Sequence, residues 1–412
     1  MKHTQDSVTG GFPHIFAVPG SYYYNNPSSW PNNFPFGAVD AVTSFIFASQ
    51  ADAGKYYAAA ERSMNKVVAS SAILSTFILS EKKALSTSLS GSSPLDKSEE
   101  VRKVWSHIRQ SIEKHDPKVA QKKAPFLSRL YFALDRTFNE IAEKVQVGRV
   151  DPFIALNLKK YSSNGGQATA KADINRPLRV GFLPIAANPL TWGHILIAFM
   201  ATNILSLDTV VFRVQGEIRY KDLPESDRVP VRERHAVVLR EVENLFPLIR
   251  YTDLGSESNN NKEGFEEMYR LLELNPEQPI DIFYILGVEN KERVVKYAKQ
   301  QYEMAARHTS LPHHRISVAW LQRGAYGASV TSEELESIYE PFRKQLGVKE
   351  PLNLVLVKDP DIDLNVASTY YRNSHDPAIV PPYVDEHAKT HGYYGHPPID
   401  PRTGKPYDYS ED

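Results

Sequence analysis

Residues Pro177 to Ala201 read PLRVGFLPIAANPLTWGHILIAFMA, and the fold turns on how this stretch is parsed. Its first half, PLRVGFLPIA, is a short apolar run of the kind that forms a buried strand. Its second half, NPLTWGHILIAFMA, carries an apolar helical pattern whose front holds a glycine and a histidine, Gly193 and His194. A helix start offers unpaired backbone N–H groups and the positive end of the helix dipole, so an anion suits it. A histidine placed there is positioned to hold a phosphate. The plainer reading is that Asn188 and Thr191 cap the helix and His194 is polar surface.

Outward from this strand and helix, further runs of the same texture follow: LDTVVFRV, LIRYTD, IDIFYILG, RISVAWLQR and LNLVLVK, separated by helical patterns. Strands alternating with helices predict an α/β fold built on a doubly wound, mostly parallel sheet. Such sheets bind ligands beyond the carboxyl ends of their strands, where the strand order reverses.

Toward the N-terminus the pattern changes. Residues 1–36 are rich in Pro, Gly, Asn and aromatics and read as an irregular arm. Residues 37–160 read as a mostly helical domain. Tyr57, Ala60, Met64, Val67, Ser71, Leu74 and Ile78 form one stripe. Val101, Val104, Trp105, Ile108 and Ile112 form a second, and Leu127, Leu130, Leu134, Phe138, Ile141 and Val145 a third. The small polar stretch 161–177 has linker composition, 178–395 holds the α/β domain, and 396–412 is a polar, Pro-rich tail.

Composition excludes several functions. At 42% hydrophobic and 24% charged residues the 412-residue chain is ordinary globular protein, long enough for two domains. A formal net charge of −1 gives no reason to expect nucleic acid or an anionic membrane as partner. With no cysteine, disulfides, thiolate zinc sites and cysteine nucleophiles are ruled out. The start, MKHTQDSVTGGFPHIFAVPG, lacks the basic and apolar regions of a secretory signal, and the apolar stretch Val67–Leu79 is too short to span a bilayer. A cytoplasmic or otherwise intracellular setting is expected.

A second candidate site opens the helix after the last strand, in VASTYYRNS, Val366 to Ser374. Ser368 and Thr369 fit a helix start, and Arg372 follows at a spacing that turns its fork of donors toward the same ligand. Alone, this reads as a capped helix with a surface arginine. Because both turns follow strands of one parallel sheet, both belong on its carboxyl edge, an arrangement suited to gripping a triphosphate.

These residues resemble the nucleotidyltransferase superfamily. Asn-Pro-Leu-Thr-Trp-Gly-His looks like its [Thr/His]-x-Gly-His signature, and Ala-Ser-Thr-Tyr-Tyr-Arg like its Ser-Thr-x-x-Arg signature. Tyr284–Asn290, YILGVEN, is similar to a turn of the nicotinamide and nicotinate mononucleotide adenylyltransferases, as are RYKDL with RERHAVV and the closing IVPPYVDEHAKTHGYY. The likeness covers roughly 177–395 in order and spacing, and implies the Rossmann-like nucleotidyltransferase fold. Departures are visible: Pro184-Ile185-Ala186-Ala187-Asn188-Pro189 stands where the family has Gly-Gly-Thr-Phe-Asp-Pro, and Glu289 stands for the usual Asp. Thr191 is the form common in the pantetheine-phosphate branch.

The resemblance implies transfer of a nucleotidyl group by in-line attack of a phosphate-bearing acceptor on the α-phosphate of ATP or CTP, with release of pyrophosphate. His194 is then expected to donate to the α-phosphate and Thr191 to contact a phosphate, with Ser368, Thr369 and Arg372 on the β- and γ-phosphates. Ala186, Ala187, Asn188 and Gly193 are expected to bring backbone to the nucleotide, and Gly287 and Glu289 to meet a ribose or adenine. Lys221, Trp192 and Arg323 are candidates for substrate contacts, each with a bland reading as loop, packing residue or strand end. Mg²⁺ is expected on the ATP phosphates, with no protein metal site; His387, His391 and His396 show no ligand spacing with carboxylates.

The leading reading is adenylylation of nicotinamide or nicotinic acid mononucleotide in NAD synthesis. Its rivals are transfer to a pantetheine or polyol phosphate, and a non-catalytic nucleotide-binding protein whose helical half serves a partner or self-association.

Overall fold

In the computed structural model, which describes residues 93–115, 125–158, 176–217, 223–256, 264–288, 291–307, 314–322, 330–349, 351–358 and 367–397 and the backbone of four short strands, every one of the six apolar runs forms a strand. These are β1 (Leu178–Ile185), β2 (Thr209–Val214), β3 (Ile249–Thr252), β4 (Ile280–Val288), β5 (His314–Gln322) and β6 (Asn353–Lys358). All pair in parallel, in the order β3-β2-β1-β4-β5-β6. The order reverses between β1 and β4, which is the switch point where such sheets take ligands.

Both sheet faces are covered, which explains the near-continuous apolar runs. Along β1, Leu178, Val180 and Phe182 enter one core while Leu183 and Ile185 enter the other. The first core packs under α5 (Phe265–Glu273), α6 (Lys291–Arg307) and α7 (Ser332–Gln345). The second packs under α3 (Trp192–Leu205) and α4 (Val231–Leu245), with the C-terminal α8 (Ser368–Ser374) and α9 (Pro382–Thr390).

The chain divides into two compact units at Leu85/Ser86. Helices α1 (Pro94–His115) and α2 (Pro125–Gln146) belong to the second unit and share the core of the α/β body. The physical reason lies in α3, which is apolar all round and needs cover on the side away from the sheet. Phe138 of α2 supplies it, its ring centroid 4.4 Å from Phe199 and 5.4 Å from Trp105. Lys144 Nζ donates to Asn203 Oδ1 at 2.7 Å beside this contact.

The segment after α2 packs against the edge strand β3. Buried Arg250 on β3 donates from Nη2 to the carbonyls of Pro152 and Ile154 at 2.9 and 2.8 Å, and Thr252 Oγ1 donates to that of Leu158 at 2.7 Å.

In the first unit, Ile15–Phe16 pairs antiparallel with Ile46–Phe47; the expected arm, the 57–78 stripe and the 161–175 stretch lie outside the described residues. Among the described residues no helix is long and apolar enough to cross a membrane.

Candidate active site at the carboxyl edge of the sheet

Pairing between β1 and β4 ends at Phe182↔Tyr284, although β1 continues to Ile185 and β4 to Val288. The two strands therefore part at their carboxyl ends, and a crevice opens where the order reverses. Gly287, half-buried, lies on the β4 side of it.

The loop 186–191 leads from β1 into α3 on the other side. Its backbone is held by side chains from distant elements. Arg234 of α4, 2% exposed, donates from Nη1 to the Ala186 carbonyl at 2.6 Å and to that of Gln215 at 2.9 Å, and from Nε to that of Val229 at 3.1 Å. Arg372 Nη1 donates to the Asn188 carbonyl at 2.6 Å, and Ser368 Oγ to the Pro189 carbonyl at 2.9 Å. Asn188 is itself enclosed: its Nδ2 donates to the Asp227 carbonyl at 2.7 Å, and the Tyr394 hydroxyl donates to its Oδ1 at 3.2 Å. Ala187 takes φ 49°, in the left-handed region where a glycine would sit without strain.

His194 is oriented by the residue that caps its helix. The Thr191 backbone N–H donates to His194 Nδ1 at 3.1 Å, and Thr191 Oγ1 lies 2.9 Å from the same nitrogen. An N–H donates only to a lone pair, so Nδ1 is unprotonated and the proton of the neutral ring sits on Nε2. His194 thus presents Nε2–H as a donor, half-buried at the first turn of α3. Thr191 is fully buried, with its hydroxyl against the imidazole.

Arg372 meets an unforeseen partner, Asp227. Its Nε lies 3.3 Å from Asp227 Oδ2, the two side chains being 9% and 17% exposed, and its Nη2 donates to Thr369 Oγ1 at 3.0 Å. Each nitrogen of the guanidinium is thereby engaged once, which leaves two of its five N–H donors, one on each Nη, for a ligand. Asp227 sits in a short turn, Glu225–Asp227, that nothing in the local pattern marks as functional.

The two sequence signatures thus converge: Ser368 and Arg372 lie on the very loop that leads to Thr191, Gly193 and His194. Asn188 and Ala187 are enclosed at 1% and 3% exposure, so they hold the loop's shape. Trp192, also 3% exposed, is a core residue, and Trp320, fully buried, donates its indole N–H to the Tyr339 hydroxyl at 3.0 Å. Lys221, Glu289 and Arg323 lie outside the described residues. Of the residues missed by sequence reasoning as site elements, Arg234 and Tyr394 sit inside quoted motifs, whereas Asp227 carries no such signal.

No family model and no curated protein matches this sequence. Among solved structures, the chain is similar to Plasmodium falciparum nicotinic acid mononucleotide adenylyltransferase complexed with NaAD, at 13% identity and a TM-score of 0.37, over 53% of this chain and 98% of that one. It is likewise similar to the same enzyme complexed with APC, at 13% identity and a TM-score of 0.36, over 53% and 98% of the two chains.

Proposed function

We propose that this chain is an adenylyltransferase that joins ATP to nicotinamide or nicotinic acid mononucleotide, forming NAD or deamido-NAD and pyrophosphate. The observation that carries the reading is the seating of Ser368 and Arg372 on the loop that precedes His194, beside the parting of β1 and β4. An oxygen of the acceptor phosphate attacks the α-phosphorus of ATP, the bond to the oxygen bridging to the β-phosphate breaks, and pyrophosphate leaves. The attacking phosphate is already anionic at neutral pH, so no protein base is required. His194 Nε2–H donates to a non-bridging α-phosphate oxygen as charge builds there, while Ser368 and Thr369, at the helix start, hold the departing pyrophosphate and Arg372 offsets its charge.

The side chains gathered at this loop are hydroxyls and N–H donors, and the carboxylate of Asp227 is paired with Arg372. That donor set fits Mg²⁺ carried on the phosphates and water, where it offsets their charge, and no protein cage is needed.

Pyrophosphate release by the purified full chain with Mg·ATP, compared across nicotinamide mononucleotide, nicotinic acid mononucleotide, phosphopantetheine and a polyol phosphate, distinguishes these readings. Turnover with a pyridine mononucleotide that is lost in His194→Ala is expected. Turnover only with another acceptor moves the assignment within the enzyme class, and ATP binding without turnover supports the binding protein.

A further inference from the structure

A second cluster lies behind the loop, where α9 packs on α4. Glu233, in the first turn of α4, and His387 and His391, one turn apart at the end of α9, bring one ligand atom each within 4.8 Å of one another. The His387 and His391 ring centroids are 4.1 Å apart, and His387 Nε2 lies 3.6 Å from Glu233 Oε2. We propose that Glu233, His387 and His391 bind one Zn²⁺ ion that clips the C-terminal helix α9 to α4.

Each donor is presented in its ligating form. The His391 Nδ1 lies 2.9 Å from the His387 carbonyl, an acceptor only, so Nδ1 carries the proton and Nε2 offers its lone pair. His387 Nε2 is buried with no hydrogen-bond partner among the described residues. The 3.6 Å from His387 Nε2 to Glu233 Oε2 is too long for a hydrogen bond. It is close to the edge of a zinc tetrahedron, about 3.3 Å for bonds of about 2.0–2.1 Å. Glu233 is steadied by Arg232, whose Nη2 lies 3.1 Å from Oε1, which leaves Oε2 turned to the histidines.

Two imidazoles and one carboxylate select zinc over magnesium or calcium, and three protein ligands leave a fourth position for water. The rings are held by neighbours: Tyr393 stacks on His391 at an interplanar angle of 8°. A pocket lined by Ala187, Pro189, Arg234, His387 and Tyr394 runs from this cluster to the loop 186–191, so an ion here would brace the back of the candidate active site.

The test is zinc titration of the chelator-stripped full chain against a chromogenic competitor, with the thermal midpoint read in parallel. One equivalent should bind and raise the midpoint. Glu233→Gln, close to isosteric, and His391→Ala, at an exposed position, should each weaken binding at least about tenfold and abolish the midpoint rise, with circular dichroism unchanged. No stoichiometric binding by the native chain, or unchanged affinity in both variants, would overturn the proposal.

Discussion

Removing either half of the Arg372–Asp227 pair should cost about as much as removing both. At 3.3 Å and 9% and 17% exposure, the pair's gross attraction is about 5 kcal/mol at an effective dielectric of about 20. Desolvation consumes much of this, and loss of one partner from a buried pair typically costs about 3–5 kcal/mol because the other charge is stranded. Here the stranded group keeps some support: Arg372 retains the Asn188 carbonyl at 2.6 Å, and Asp227 Oδ1 accepts from Ser226 Oγ at 3.3 Å. We therefore expect Arg372→Met and Asp227→Asn each to lower unfolding stability by about 2–3 kcal/mol, and the double variant by no more than either, a coupling of about 2 kcal/mol. Urea denaturation of the four proteins, with common slopes, measures this. Mg·ATP titration then separates the roles: Arg372→Met should lose affinity, whereas Asp227→Asn, which frees a donor, should hold or gain it. Strict additivity of the two stability losses would refute the reasoning.

Four further outcomes follow from the structure. Glu241, 8% exposed on α4, has its carboxyl pushed up to about 7 by burial, offset only in part by Arg240, so it favours the folded state below about pH 4.5 and loses that contribution as pH rises through 7. Glu241→Gln should match the native chain near pH 4.5 and be up to about 3 kcal/mol more stable at pH 8, read by denaturation at both values. His235 and His387, both pushed down to about 4 mainly by burial, act oppositely and withdraw stability as pH falls from 6.5 toward 4. Phe138→Ala should cost about 3–5 kcal/mol in a single denaturation transition that includes the α/β body; a separate early transition would show that α1 and α2 fold apart from it. Thr191→Val keeps the backbone N–H on His194 Nδ1 but removes the hydroxyl 2.9 Å away, so turnover should fall about three- to tenfold with little change in KM for ATP, measured by pyrophosphate release.

The strands were legible because burial on both faces writes itself as runs such as IDIFYILG, in which every other residue enters the opposite core. The convergence of the two turns was legible too, because consecutive parallel strands must all point their carboxyl ends one way. Membership of α1 and α2 was not: their stripes announce a buried face, but a stripe does not name what covers it, and only the all-round apolar character of α3 hinted at a second layer. Asp227 was hidden for a related reason, since its partner Arg372 lies in another element and pairing across the fold leaves no periodic trace. The cluster of Glu233, His387 and His391 shows the same limit. Its His387/His391 spacing is readable along one helix, while the carboxylate that completes it comes from α4. Trp192 illustrates the reverse, a ring that could serve a ligand by type but is claimed by packing under its own helix start.

In the proposed reaction the bond broken is the one between the α- and β-phosphates. Incubation of the full chain with ATP labelled at the α-phosphorus, Mg²⁺ and a pyridine mononucleotide, followed by separation of the products, tests it directly. The label should pass into the dinucleotide and none into pyrophosphate, and His194→Ala should stop the transfer. Label retained in ATP or released as AMP, with no labelled dinucleotide from either mononucleotide, would contradict it.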